Sequence, residues 1–123
     1  MATTLGATIF LFLLFKHCVI DLYLQSLIHF KTKKSDYLSL SAQLHYFEHG
    51  VGTFIVLTFF ISWPMALVFG MIDHLSHWHI DYSKSRTQKY FGIVAPSKGY
   101  WFLSSIDQAL HYFTYYLIVL LIV

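Results

Sequence analysis

Long apolar stretches separated by short polar segments make up most of the sequence. A helix that crosses a membrane needs about 20 mostly apolar residues, and the apolar block 44–72 is too long for one such helix. Proline is tolerated in the first turn of a helix and disfavoured inside one, so this block splits at Ser62-Trp63-Pro64. The sequence predicts four spans, at about 5–28, 41–62, 64–82 and 101–123, with polar loops at about 30–40 and 83–99.

The basic residues predict how these spans are oriented. Every lysine and arginine except Lys16 lies in one of the two polar loops. Cytoplasmic loops next to membrane spans are enriched in these residues. We therefore expect one all-α domain over residues 1–123, an integral membrane protein whose four transmembrane helices form an up-down bundle. Both loops would be cytoplasmic, and both termini would lie on the non-cytoplasmic side.

The composition agrees with a membrane protein and argues against other classes. Hydrophobic residues make up 57% of the chain and charged residues 11%, against about 45–50% and 25% in soluble domains. The net charge of +2 is too small to indicate a nucleic-acid partner. Cys18 is the single cysteine, which excludes an intramolecular disulfide and a cysteine-based zinc motif. The expected partner is the lipid bilayer, with no nucleic acid.

Ionisable residues recur inside the apolar spans at helical spacing. A charged group costs roughly 2.5–3.5 kcal/mol at the centre of a membrane helix on insertion scales, so its presence in all four helices indicates one shared polar site. The patterns are His17-x-x-x-Asp21-x-x-x-Gln25, His45-x-x-x-His49, Asp73-x-x-x-His77-x-x-x-Asp81 and Asp107-x-x-x-His111. In an up-down bundle, all four fall in the cytoplasmic half. The sequence thus predicts one polar chamber there, with apolar packing on the outer side.

Histidines and carboxylates at this spacing are candidate metal ligands. Residues four apart share a helix face, so His45 and His49 could bind one ion. Asp73 and Asp81 are separated by about 12 Å along a helix. Either His77 and one of them bind an ion while the other orients a ligand, or the site holds two ions. Imidazole with carboxylate suits a divalent metal such as zinc, or iron or manganese. The candidate metal ligands are His17, His45, His49, Asp73, His77 and His111.

The same hypothesis assigns catalytic roles to acidic and basic residues around these ligands. Asp81 would be a fourth ligand or a general base beside His45, His49 and His77. A ligating histidine usually donates its other N–H group to a carboxylate. We expect Asp21 and Asp107 to orient His17 and His111 in this way. Lys84 would hold a phosphate or lipid headgroup, or else would only help to determine the orientation of the protein in the membrane.

Structural roles are the alternative for buried polar residues. Hydrogen bonds between membrane helices contribute about 0.6–2 kcal/mol each, but the number of such residues here favours a functional site. Lys16 lies near mid-span and would either pair with an acid or extend to the interface. His29 and His79 are interpreted as structural, and the role of His74 stays open.

The order of the motifs is specific when they are taken together. It runs HxxxDxxxQ in the first span, HxxxH at the start of the second, HxxxDxxK at the end of the third and DQxxH at the start of the fourth. The residues concerned are His17, Asp21, Gln25, His45, His49, His77, Asp81, Lys84, Asp107, Gln108 and His111. This order resembles a family of small four-helix inner-membrane proteins from bacteria and their phages, known only as a domain of unknown function. The resemblance implies a bacterial inner (cytoplasmic) membrane location and brings no activity with it.

The leading functional hypothesis is a metal-dependent integral membrane enzyme. It would be a hydrolase of a lipid or lipid-linked substrate such as a lipid phosphate, with the metal activating water. One alternative is a protein that conducts protons or metal ions, although the outer halves of the spans carry almost no polar groups. Another is an accessory or structural subunit of a larger membrane complex. Four short helices make a thin bundle, so a homo-oligomer or a membrane partner is compatible with each.

Overall fold

The computed structural model describes residues 1–24, 27 and 34–123. Within that part of the chain the protein is all-helical, with four helices and no strand, as the sequence predicts. The first helix, α1, continues without a break into a π-helical segment, Val19–Leu24. The helices are α1, Ala2–Cys18; α2, Leu40–Thr58; α3, Trp63–Phe91; and α4, Lys98–Ile122.

The turn between α2 and α3 lies where the sequence places it. Ser62 adopts an extended conformation immediately before α3, and Pro64 lies in the first turn of that helix. Proline suits this position because the first-turn N–H groups of a helix have no partner within it. The apolar block is thereby folded back on itself, and α3 runs antiparallel to α2.

The second loop is shorter than the predicted 83–99, because α3 continues to Phe91. Residues 83–89 are polar, but the range 83–91 contains neither glycine nor proline, so the helix continues beyond its apolar part. It ends at Gly92, whose φ of 62° is left-handed and favours glycine. Helix α4 begins at Lys98, where the Ser97 hydroxyl accepts a hydrogen bond from the Tyr100 N–H.

The four helices form an antiparallel ring. Each helix packs against the next in sequence, and α4 packs against α1. The closest approach joins α2 to α3, where Gly50 and Gly70 face each other. A Cβ atom added at Gly70 would lie 2.7 Å from the Gly50 carbonyl oxygen, and one at Gly50 would lie 2.8 Å from the Gly70 carbonyl oxygen. Only glycine allows the backbones to approach this closely at both positions.

The interior divides into an apolar half and a polar half. The apolar half is filled by a cluster of side chains from all four helices: Ile9, Leu13, Leu57, Ala66, Phe69, Tyr115, Ile118 and Val119. The buried polar side chains come from the other half, and they include charged groups such as Lys16 and Asp73. The outer surface is rich in exposed large apolar side chains.

Two of the helices found in the described residues are long and apolar enough to cross a membrane. They are Thr3–Leu24 and Lys98–Ile122. Helices α2 and α3 hold more polar residues and are not among them.

Candidate functional site: a buried histidine and aspartate network

The ten candidate site residues all lie in the described part of the chain and join one network of contacts. Nine of them are buried or half-buried in the polar half of the bundle, and the tenth, Lys84, lies at its edge. Gln25 and His29 lie outside the described residues. The network is therefore built by all four helices, as the i, i+4 spacing predicted. Its members are His17, Asp21, His45, His49, Asp73, His77, Asp81, Lys84, Asp107 and His111.

Asp21 joins α1 to α2 at the start of the network. It lies in the π-helical segment, a rare conformation that is frequently found at functional sites. One carboxylate oxygen, Oδ1, lies 2.8 Å from His49 Nε2 and 3.4 Å from His45 Nε2. The other, Oδ2, lies 3.1 Å from His17 Nε2. Asp21 thus contacts three histidines, where the sequence had assigned it only His17.

Three imidazole rings are stacked at the centre of the site. The ring centroids of His49 and His77 are 3.7 Å apart, and those of His77 and His111 are 4.0 Å apart. Each ring has its own carboxylate: Asp21 lies 2.8 Å from His49 Nε2, Asp73 lies 2.8 Å from His77 Nδ1, and Asp81 lies 3.0 Å from His111 Nε2.

These contacts determine which ring nitrogen of each histidine carries a proton. A carboxylate only accepts hydrogen bonds, so the nitrogen facing it must donate. The second nitrogen of each neutral ring then carries a free lone pair. These second nitrogens are buried and have no hydrogen-bond partner among the described residues: His49 Nδ1, His77 Nε2 and His111 Nδ1. A histidine held by a carboxylate with its other nitrogen free is prepared to ligate a metal.

His17 lies beside this stack with both ring nitrogens engaged. Its centroid is 5.1 Å from those of His49 and His111 and 5.3 Å from that of His77. Nδ1 lies 3.0 Å from the Tyr115 hydroxyl, and Nε2 lies 3.2 Å from Gln108 Oε1. His17 could bind a metal only by exchanging one of these hydrogen bonds.

A buried ion pair lies where the polar half meets the apolar half. Lys16 Nζ lies 2.7 Å from Asp73 Oδ2 and donates hydrogen bonds to the Tyr115 hydroxyl at 3.0 Å and the His49 carbonyl oxygen at 3.3 Å. Thr53 donates to the same Asp73 oxygen at 2.5 Å. The sequence left two roles open for Lys16, and the structure pairs it with an acid. Asp73 already accepts from Lys16, Thr53 and His77, so it orients His77.

Two further lysines contact the carboxylates at the opposite edge of the site. Lys34 Nζ lies 2.6 Å from Asp81 Oδ2, and Lys84 Nζ lies 3.2 Å from Asp107 Oδ2. Both lysine side chains are about one quarter exposed, at 25% and 24%. Lys34 precedes α2, and Lys84 lies on α3 beyond Asp81, so positive charge lies at this edge of the site.

Three groups of side chains bring ligand atoms within 4.8 Å of one another, as a metal ion requires. They are His17 with His49 and His77; Asp21 with His45 and His49; and Asp81 with Asp107 and His111. The sequence had combined His77 with His45 and His49, whereas here His77 lies with His17 and His49. Helix spacing reveals which residues share a face and does not reveal how neighbouring helices are rotated.

Several contacts of the network were not predicted from the sequence. Thr53 and Tyr115 were overlooked, although each continues a pattern of four, following His49 and His111. From the sequence, Lys34 was used only to predict the orientation of the protein in the membrane. His79 is exposed and bonds to the Leu75 carbonyl oxygen at 2.7 Å and to Tyr37, in agreement with a structural role.

The fold and site define an all-helical protein with apolar outer faces and a buried histidine and aspartate network. The chain belongs to the family described as "Protein of unknown function (DUF3307)", whose model matches residues 9–123. This confirms the predicted resemblance to an uncharacterised family. The comparison with curated proteins gave no match, and neither did the comparison with solved structures.

Proposed function

We propose that this protein is a metal-dependent enzyme embedded in the membrane, a hydrolase of a lipid or lipid-linked substrate. The observation that carries the proposal is the pair of free lone pairs on His49 Nδ1 and His77 Nε2. Both rings are almost fully buried, at 0% and 1% exposure. An unpaired polar atom inside a protein is costly unless something binds it, and a divalent metal ion fits two imidazoles held by carboxylates.

In the proposed site His49 and His77 bind the ion, and His17 completes the set in exchange for its bond to Tyr115. Zinc, iron or manganese suit these ligands. Such an ion supplies Lewis-acid activation of water. The protein's own residues would do the rest: Asp21 and Asp73 hold the histidines in place, and Asp81 is a further ligand or accepts a proton as general base.

All four helices cross the membrane in this proposal. Helices α2 and α3 also expose large apolar side chains, including Phe47 at 59%, Met71 at 59% and Leu67 at 46%, while Asp73 and Asp81 of α3 are buried. Soluble monomers rarely expose extended apolar surfaces. The basic residues at both loops favour a site in the cytoplasmic half, with both termini on the other side. The bacterial inner membrane is the corresponding location.

Lys34 and Lys84 favour an anionic substrate. Their ammonium groups lie at the edge of the network and are partly exposed. Lysine binds phosphate as a point charge, and basic groups at a membrane surface attract anionic lipid headgroups. A lipid phosphate would place its headgroup at the lysines and its chains along the apolar outer surface.

Proton conduction is the second candidate function. The network of histidines and aspartates favours it, since such chains form proton relays in membranes. The apolar cluster that includes Ile9, Leu13 and Leu57 argues against it, because it occupies the remaining depth of the bundle. A conductor needs polar groups through the full depth.

Metal content tests the proposal directly. The protein is purified in detergent without chelator, reloaded with Zn²⁺ or Mn²⁺ and analysed for bound metal. We expect the same amount of bound metal in wild type and in His79→Ala, an exposed control on the same helix, and one ion fewer per chain in His77→Ala. Wild type without metal after reloading would overturn the proposal and favour the proton relay or an accessory role. Metal-loaded protein would then be assayed on phospholipids and lipid phosphates.

A further inference from the structure

A second group of ligand atoms lies at the edge of the network, next to the proposed metal site. Asp81, Asp107 and His111 place one ligand atom each within 4.8 Å of the others. These residues are only 4%, 5% and 1% exposed. His111 is stacked on His77, so this group adjoins the first site without sharing a ligand with it.

One carboxylate oxygen of this group lacks a hydrogen-bond partner. Asp107 Oδ1 is buried and accepts no hydrogen bond from the described residues. Asp107 Oδ1 lies 3.7 Å from His111 Nε2, which is too long for a hydrogen bond. The other oxygen of Asp107 accepts from Lys84 and Gln108. Asp107 therefore presents an oxygen to the group that an ion could bind.

The positive charge beside these carboxylates comes from partly exposed lysine side chains. Lys34 and Lys84 contact Asp81 and Asp107 through ammonium groups on long, partly exposed side chains. Neither lysine is enclosed as Lys16 is, with 6% of its side chain exposed. A divalent ion carries twice the charge of an ammonium group and can bind both carboxylates at once.

We infer that Asp81, Asp107 and His111 bind a second divalent cation, which exchanges with the ammonium groups of Lys34 and Lys84 and with the proton on His111 Nε2. This inference rests on the proposed function and extends it from one ion to two. Two oxygen ligands and one imidazole suit Mn²⁺ or Zn²⁺. The exchange would release both lysines to bind the phosphate of the substrate.

Titration calorimetry and metal analysis with Mn²⁺ test the inference on the detergent-purified chain. We expect two ions per chain in wild type, one in Asp107→Asn and one in His77→Ala. One ion in wild type that His77→Ala removes and Asp107→Asn leaves unchanged would overturn the second site and leave the proposed function intact. No ion in any variant would overturn both. Circular dichroism and the unfolding temperature establish that each variant is folded.

Substitution of a lysine provides a second test, in which none of the proposed metal ligands is removed. Lys84→Met removes one competing charge, so the ion that depends on Asp107 should bind about fivefold more tightly. Lys89→Met, an exposed lysine on the same helix, should leave that affinity unchanged. Equal affinities of wild type and Lys84→Met for this ion would overturn the proposed exchange between the ion and the lysine ammonium groups.

Discussion

Lys16 and Asp73 form an ion pair of 2.7 Å that is almost completely enclosed, with side-chain exposures of 6% and 0%. Lys16 comes from α1 and Asp73 from α3. Thr53 of α2 and Tyr115 of α4 complete the hydrogen bonds around them. All four helices therefore meet at one pair of opposite charges. The same aspartate orients His77, so the pair links the packing of the bundle to the candidate site.

Removing one charge of this pair should destabilise the bundle strongly. Lys16→Met leaves Asp73 buried without its counter-ion, and breaking a buried pair in this way costs about 3–5 kcal/mol. The double variant Lys16→Met with Asp73→Asn should recover part of that loss, because no unpaired charge is left. Unfolding in detergent, followed by circular dichroism, measures both. Lys89→Met should change stability by less than about 0.5 kcal/mol, and an equally small change for Lys16→Met would contradict the ion pair.

Thr53 should contribute to the stability of the fold through its hydroxyl group and not through its shape. Thr53→Val removes the donor to Asp73, and a hydrogen bond to a buried charged group is worth about 1.5–3 kcal/mol. Thr58 provides a matched control on the same helix, since it is exposed and bonds only locally to the Ile55 carbonyl oxygen. Denaturant titration of the two valine variants compares them. Similar losses of stability for both would show that the Asp73 contact contributes nothing.

The contact between Gly50 and Gly70 should not tolerate a methyl group. Gly70→Ala would place its Cβ 2.7 Å from a backbone oxygen, and overpacking typically costs about 1–3 kcal/mol. At Gly99 the added Cβ would meet its nearest atom at 3.5 Å, so Gly99→Ala should be neutral or slightly stabilising. Thermal unfolding in detergent distinguishes these outcomes, and a Gly70→Ala variant as stable as wild type would argue against the close packing.

Thiol labelling tests the proposed arrangement in the membrane. Cys18 is the single cysteine and is exposed, so Cys18→Ser gives an unreactive background. Ser62→Cys, at the exposed turn between α2 and α3, should react with an impermeant maleimide added to intact cells. Ala95→Cys, between α3 and α4, should react only after the membrane is permeabilised. The reverse pattern would show that the orientation is opposite to the proposed one. Labelling of both variants in intact cells would exclude an arrangement of four spans.

The sequence predicted the composition of the network better than its geometry. Spacing of four along each helix was enough to select His49, His77 and His111, because side chains on one helix face must point the same way. It was not enough to pair His77 with His17 and His49, since that depends on how α1 is rotated against α2 and α3. The partners of long side chains were even harder to predict. Lys16 and Lys34 reach carboxylates on other helices, and their position in the sequence leaves several partners open.

The end of α3 shows a second limit of the sequence. Hydropathy marks where an apolar surface stops, whereas a helix stops where its backbone hydrogen bonds do. Over residues 83–91 the apolar surface has stopped but the backbone hydrogen bonds continue, so α3 extends to Phe91 and carries Lys84 on a helix. A lysine on a rigid helix is placed more precisely than one in a loop, which explains its defined contact with Asp107.

The apolar packing around Ile9, Leu13 and Leu57 has a kinetic consequence for a reaction in the polar half. In the proposed enzyme, a water-soluble product formed there would leave on the side of Lys34 and Lys84, because the apolar cluster fills the other half of the bundle. Product that accumulates on that side of the membrane would compete with substrate for the lysines, whereas product on the opposite side would have no effect. Inhibition by product would therefore be sided, and vesicles loaded with product on one face at a time would reveal which compartment regulates the reaction.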